Sequence, residues 1–262
     1  MCMNIPCPHF ETCGRSRKPG AAPCLYSIRS KGDSLEYGGF MVISGYLVLK
    51  WMHIIALTYW LGGEWGVFQT AYHILNPHLS LQERRHHLET AYRIDILARL
   101  GILLLLPLGF QMGAYIGVNP FRAWVLPVWI FMLLWMSLTF SAFLKRGTAT
   151  GLKLTLWDER IRYVVIPLLF GTALYSLVTG GPLTAHWYAA KVLIYSLLLV
   201  IGLALRFVMR HWAVIFRQLA ETGPTPALEH QLAHEGALSR KLAYVYWVGI
   251  ASVAFIGVVK PF

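Results

Sequence analysis

The sequence predicts an all-α membrane protein, a polytopic bundle of about six transmembrane helices. Hydrophobic residues make up 56% of the 262 residues, charged residues only 13%, and the mean hydropathy is +0.53. A soluble domain typically carries roughly 25% charged residues. The apolar runs are long and continuous, as in helices that cross a bilayer, whereas the strands of membrane barrels alternate polar and apolar residues.

The chain divides into a Cys-containing extramembrane tail over residues 1–40 and a six-helix transmembrane domain over residues 41–262. The predicted membrane segments cover approximately residues 39–75, 89–118, 121–144, 161–179, 184–212 and 239–259. Between the last two, residues 221–236 contain the helix-breaking sequence Gly-Pro-Thr-Pro. We expect this connection to interrupt the helix and then to form a short surface helix.

The distribution of basic residues predicts the orientation. The 23 Lys and Arg exceed the 12 Asp and Glu, and most of them lie in or beside the loops after the first, third and fifth segments. Cytoplasmic loops are enriched in Lys and Arg, so we expect this side to face the cytoplasm. Both termini then lie outside, in a bacterial inner (cytoplasmic) membrane. Membrane topology explains the net charge of +11, and no nucleic-acid partner is expected.

A polar stripe crosses the first segment within residues 49–68. At 100° per residue, one helical face about 80° wide carries Lys50, His53, Leu57, Trp60 and Glu64. Ionisable residues inside a membrane are costly and usually face the interior of a bundle. The stripe therefore predicts a functional site; the alternative is that it only holds helices together.

His53 is the main candidate ligand in this stripe. A neutral imidazole binds haem iron or copper well. Lys50, about one turn away, is a candidate to neutralise a haem propionate or a quinone oxygen near the outer surface. Alternatively, His53 forms a hydrogen bond to a neighbouring helix, and Lys50 extends outward to the interface.

The fifth segment adds His186 and Lys191 to the same half of the membrane. His186 is a candidate second ligand for a haem that His53 holds. No acidic side chain is available to Lys50 or Lys191 in this half, which favours an anionic cofactor or lipid phosphate as their partner. The alternative is that both lysines extend to the interface.

Three methionines in the second and third segments are candidate metal ligands: Met112, Met132 and Met136. Thioethers suit Cu(I) or an axial position on haem iron. With His53 they predict a relay for copper. The alternative is that they pack in the core, as membrane methionines commonly do.

An ion cluster of Glu64, Asp95 and Arg99 is expected in the other half of the membrane. An unpaired buried charge is unfavourable, so we predict a contact between Glu64 and Arg99. Asp95 and Arg99 are also spaced to pair on their own helix. A structural role is the main interpretation, and a proton path is the alternative.

The tail holds all four cysteines, Cys2, Cys7, Cys13 and Cys24. They permit an iron–sulfur cluster, a zinc site or two disulfides. The tail lacks the apolar core of a secretory signal peptide and is expected to be poorly ordered or metal-dependent. Met41 directly precedes the first segment, so a shorter protein that starts there is an alternative.

Three short motifs resemble one group of membrane proteins. The first segment contains LKWMHIIA at residues 49–56 and WLGG at residues 60–63, and the fifth contains WYAAKVL at residues 187–193. The chain ends with GVVKPF at residues 257–262. These motifs are similar to those of the superfamily that includes copper-resistance protein D and HemJ-type protoporphyrinogen oxidase.

The resemblance to HemJ-type enzymes implies a haem b site, and the resemblance to copper-resistance protein D implies copper uptake. It implies that His53 is the ligand and Lys191 the matching membrane lysine. The Tyr72-His73 pair of HemJ-type enzymes is retained, but the Pro-Arg element that precedes it in them is missing. Strict protoporphyrinogen oxidase activity is therefore not part of the prediction.

Three functions are expected from these features. The leading hypothesis is a haem b protein that acts in electron transfer or as a haem-dependent oxidoreductase, with lipid, quinone or other membrane redox subunits as partners. The second is a copper transporter, and the third a non-catalytic subunit of a larger respiratory or photosynthetic complex. The sequence has no Walker loop, nucleophile elbow or dinucleotide-binding motif, which disfavours ATP-driven transport and hydrolase chemistry.

Overall fold

A computed structural model describes residues 36–37, 40–41 and 44–261, and these residues form six long helices. The helices are α1 (Gly45–Ile74), α2 (Leu81–Tyr115), α3 (Val125–Leu144), α4 (Ala149–Thr179), α5 (His186–Thr222) and α6 (Pro226–Val259). A 3₁₀ turn, Arg122–Trp124, leads into α3, and two-residue strands β1 (Glu36–Tyr37) and β2 (Phe40–Met41) pair antiparallel before α1. The prediction of an all-α bundle is confirmed; the four cysteines of the tail lie outside the described residues.

Three helices begin earlier than the sequence predicts, the first of them α2, which begins at Leu81 rather than near residue 89. The α4 helix begins at Ala149 rather than near residue 161, and Thr148 caps it by accepting a hydrogen bond from the Gly151 amide. The predicted break is confirmed at residues 223–225, between α5 and α6, but the predicted separate surface helix is wrong, because α6 begins at Pro226 and continues to Val259. Thr225 caps α6, and a proline in the first turn of a helix interrupts no hydrogen bond. Hydropathy locates the apolar part of a helix, whereas caps locate its start.

Each helix packs against the next in the chain, and α1 also contacts α6 while α2 contacts α5. Short connections make consecutive helices antiparallel. We call the end at which α1, α3 and α5 begin the proximal end, and the other the distal end. Every Asp and Glu between residues 44 and 261 lies in the distal half of its helix.

The outer surface of the bundle is apolar. Aliphatic side chains such as Val178, Val248 and Val258 are 77%, 68% and 82% exposed, while Arg162 and Asp158 are buried. The five helices α2 to α6 are long and apolar enough to cross a membrane; α1 is not among them, because Lys50, His53 and Glu64 lower its hydropathy. An apolar exterior around buried charges is the pattern of a multi-pass membrane protein.

The centre of the bundle is built around Trp60 of α1, which is fully buried. Its indole N–H donates to the Tyr246 hydroxyl of α6 at 3.0 Å. On the opposite side, α2 approaches closely: a Cβ at Gly101 would lie 2.8 Å from the Ala56 carbonyl oxygen. A glycine is needed there, because a larger residue would push the backbones of α1 and α2 apart.

Candidate functional site

His53 lies on α1 in the proximal half of the bundle, with its ring against α2. The Nδ1 atom is buried and has no hydrogen-bond partner among the described residues. A Cβ at Gly109 would lie 3.5 Å from Cε1 of the imidazole, so no side chain separates the ring from the α2 backbone. A buried polar atom without a partner is unfavourable, which marks His53 as a candidate ligand.

Helix α5 completes this region with Tyr188 and Lys191. The Tyr188 hydroxyl donates to the Gly109 carbonyl oxygen at 3.2 Å, and a Cβ at Gly113 would lie 2.8 Å from this hydroxyl. Tyr188 thus packs directly on the α2 backbone, and Lys191 follows one turn along α5. We call His53, Gly109, Tyr188 and Lys191 the proximal His–Lys site.

Lys191 is half-buried and makes no ion pair among the described residues. A Cβ at Gly257 of α6 would lie 2.6 Å from its Nζ, so the lysine ammonium lies directly against the α6 backbone. The nearby Lys260 ammonium stacks 5.2 Å from the centre of the Trp187 ring. The proximal half therefore carries basic side chains without a described carboxylate.

The other proposed haem residues lie differently. Lys50 and His186 are both exposed, and His186 is the first residue of α5. Helical spacing places Lys50 on the face of His53, but α1 begins at Gly45, so Lys50 lies near the end of the helix where its side chain leaves the bundle. Neither residue belongs to the interior of the proximal His–Lys site.

The three methionines are not gathered around His53. Met132 is fully buried and packs with Leu103 and Trp135, and Met136 packs against the same cluster. Met112 is half-buried on α2, about one turn beyond Gly109. Among residues 36–37, 40–41 and 44–261, no three His, Cys, Asp or Glu side chains are arranged to hold a metal ion.

A second polar region occupies the distal half, centred on Asp158 of α4. This carboxylate is 2% exposed. Its Oδ1 accepts from the Trp135 indole N–H and the Thr139 hydroxyl, each at 2.7 Å. Its Oδ2 accepts from Arg162 at 3.3 Å and pairs with Arg206 of α5. One carboxylate therefore joins α3, α4 and α5.

Glu64, Asp95 and Arg99 lie beside this carboxylate and line one small cavity of about 80 Å³ together with Arg162 and Arg206. The three predicted residues are thus brought together, and Arg99 pairs with Asp95 on α2. The predicted Glu64–Arg99 ion pair is not formed among the described residues, because Arg99 is directed to the carboxylate one turn before it on its own helix.

A larger cavity of about 580 Å³ opens between α2, α3, α4 and α5 at the distal end. We call it the distal cavity. Its lining includes Asp95 and Asp158, with arginines that α2, α5 and the α3–α4 connection contribute: Arg99, Arg146, Arg206, Arg210 and Arg217.

Asp158, Arg162 and Arg206 were not predicted from the sequence to be site residues. Placing the start of the fourth segment near residue 161 left Asp158 in a loop. Two signals were available: the spacing of four between Asp158 and Arg162, and the position of Arg206 within the apolar run LALRFVM. An arginine inside an apolar helix requires a buried partner, but the sequence does not identify that partner.

The fold and these regions define an integral membrane helical protein with basic side chains in its proximal half and a distal network of arginines and carboxylates. Comparisons with protein-family models, with curated proteins and with solved structures find no match to this chain.

Proposed function

We propose that this chain binds haem b through His53 and acts in electron transfer or haem-related redox chemistry in a membrane. The observation that carries the proposal is the buried Nδ1 of His53, which has no protein partner among the described residues. Imidazole is the commonest biological ligand of haem iron, and a ligating histidine needs one ring nitrogen free of protein hydrogen bonds.

The groups around His53 fit such a cofactor. Gly109 leaves the imidazole without a side chain opposite it on α2. Lys191 of α5 supplies a cation in a region without a described carboxylate. A haem propionate would be an ionic partner for this ammonium group. The resemblance of the α1 and α5 motifs to the copper-resistance D/HemJ class supports the same assignment.

Each residue has a separate role in this proposal. His53 binds the iron through a ring nitrogen, and Lys191 orients and neutralises a propionate. Tyr188 holds α5 against α2 through its bond to Gly109 and so keeps Lys191 near His53. Met112 is the better placed of the proposed second ligands, since Met132 packs in the core and His186 is exposed. A bound haem would supply a one-electron couple.

Purified full-length protein, expressed with haem available, is expected to show a Soret absorption band. His53→Ala should abolish the band, because it removes the ligand, while the exposed His186→Ala should keep it. Lys191→Gln should retain the band but release haem faster. The readouts are the absorption spectrum and the haem-to-protein ratio.

Wild-type protein that elutes as a single folded species without a Soret band would contradict the haem proposal. Copper in metal analysis of such a sample would favour the copper transporter. If the purified protein contains neither haem nor copper and stable membrane subunits co-purify with it, the result would favour the non-catalytic subunit.

We also propose that the distal end faces the cytoplasm of a bacterial cell. Most Lys and Arg of the described residues lie in the distal half of the helices or in the connections there, whereas the proximal half holds Lys50, Arg122, Lys191 and Lys260. Alkaline phosphatase, which is active only outside the cytoplasm, should be active when fused after Lys260 and inactive when fused after Lys145. The reverse pattern would contradict this orientation.

A further inference from the structure

The distal cavity has the size and charge of a binding site for an organic anion. Its volume of about 580 Å³ lies within the usual range of small-molecule sites, roughly 300–1,000 Å³. Five arginines line it but only two carboxylates, Asp95 and Asp158. We propose that this cavity binds the phosphate group of a phosphate-bearing organic molecule. This site is separate from the proximal His–Lys site and does not depend on haem binding.

The ion pairs around the cavity leave an excess of positive charge. Four of its arginines have a carboxylate partner: Arg99 with Asp95, Arg146 with Glu89, Arg206 with Asp158, and Arg210 with Glu159. The fifth, Arg217, is exposed and makes no ion pair among the described residues.

Arg162 lies next to Asp158 but lines the small cavity with Glu64 rather than the distal cavity. It is 4% exposed and shares the Asp158 carboxylate with Arg206. Its Nη2 is buried and has no hydrogen-bond partner among the described residues. With Glu64, which lines the small cavity together with Arg162, counted among the acids, the region has one more positive than negative charge. A phosphate monoester carries about −1.5 to −2 at neutral pH and would compensate it.

The backbone at one edge of the cavity favours the same ligand. The first turn of α4 contributes Ala149 and Gly151 to the lining, next to Arg146 of the α3–α4 connection. The Gly151 amide already donates to the Thr148 hydroxyl, so the amide of Ala149 is the candidate here. The amide groups at the start of a helix carry a partial positive charge and bind phosphate oxygens well. Arginine also pairs with two phosphate oxygens at once.

Part of the remaining lining is apolar, and this part favours an ester over inorganic phosphate. Ile96, Phe143 and Leu152 contribute this apolar surface, and the Arg146 guanidinium lies 5.7 Å from the centre of the Phe143 ring. Such a surface suits the carbon portion of a soluble phosphate ester or the glycerol and upper acyl region of an anionic phospholipid. Both sources present the same phosphate chemistry to the arginines.

The test uses the full chain with two probes, glycerol 3-phosphate added in detergent and phosphatidic acid mixed equally with phosphatidylcholine in nanodiscs. Binding is measured as the rise in thermal unfolding midpoint relative to glycerol or to phosphatidylcholine alone. Arg217→Gln and Arg146→Gln should weaken the binding of the active probe about tenfold or more. Arg160→Gln, an exposed distal residue outside the cavity, should bind like the wild type.

Protection by glycerol 3-phosphate supports the proposal with a soluble ester as ligand, and protection by phosphatidic acid alone supports it with a lipid headgroup. The proposal is overturned if neither probe protects the wild type, or if Arg160→Gln weakens binding as much as Arg217→Gln. Because Arg217 makes no described ion pair, its variant should unfold at the wild-type midpoint without ligand. An unchanged Soret band in Arg217→Gln would separate this site from the proposed haem site.

Discussion

Replacing Asp158 by Asn is expected to lower the free energy of unfolding by about 3–5 kcal/mol, because it leaves buried arginines without their counter-charge. Asn keeps the size of the side chain and an oxygen that accepts from Trp135 and Thr139. It removes the charge that compensates Arg162 and Arg206, which are 4% and 8% exposed. The effect is therefore electrostatic rather than a loss of packing.

The measurement is a titration of detergent-solubilised protein with sodium dodecyl sulfate, followed by tryptophan fluorescence. Glu221→Gln is the matched control, since Glu221 is exposed near the end of α5 and should change stability by less than about 0.5 kcal/mol. In the double variant Asp158→Asn with Arg206→Gln, the loss should be smaller than the sum of the two single losses, because the second change removes a cation that the first leaves unpaired. Additive losses, or a loss no larger than that of the control, would show that this carboxylate does not hold α3, α4 and α5 together.

Replacing Arg84 by Met is expected to lower the free energy of unfolding by about 2–3 kcal/mol. Arg84 of α2 is 3% exposed and donates to the Ile74 carbonyl at 2.8 Å and to both carboxylate oxygens of Glu229 at 2.7 and 3.0 Å. Its guanidinium lies 5.3 Å from the centre of the Phe216 ring. One side chain thus joins the distal ends of α1, α5 and α6. The expected value is below that of a fully buried pair, because the Glu229 side chain is 25% exposed.

Arg84→Lys separates charge from geometry in the same titration. A lysine keeps the charge but cannot donate two parallel hydrogen bonds to the Glu229 carboxylate. The stability of the Arg84→Lys variant should therefore lie between those of the wild type and Arg84→Met. Arg85→Met, at the exposed neighbouring position, should leave stability within about 0.5 kcal/mol of the wild type. Equal losses for Arg84→Met and Arg85→Met would mean that the network around Glu229 adds nothing to stability.

The helices were predictable from apolar length, but their polar starts were not. The segment that became α3 was predicted to within a few residues, because it is apolar almost from end to end. The start of α4 was missed because Asp158 and Glu159 look like loop residues when their partners are unknown. They are stable in a buried helix only because α3 and α5 supply Trp135, Thr139, Arg206 and Arg210.

The polar stripe on α1 separates into three environments in the folded bundle. His53 faces the α2 backbone at Gly109, Trp60 forms the central bond to Tyr246, and Glu64 lines the small distal cavity. Lys50 shares the helical face but is exposed. Helical periodicity gives the direction of a side chain around the axis, but whether a neighbour covers that side chain depends on which helix passes at that depth.

By itself, the sequence determined that this protein is a membrane bundle of long helices, that its basic residues gather at one end, and that His53 and Lys191 share a half without acids. These properties depend only on the composition and order of residues along the chain. Composition and order are enough to predict them because the bilayer favours any sufficiently long apolar helix. The tertiary structure decided which charges meet. The Asp158 network, the Arg84–Glu229 pair and the distal cavity each combine side chains from several helices, and local sequence carries no information about those distances.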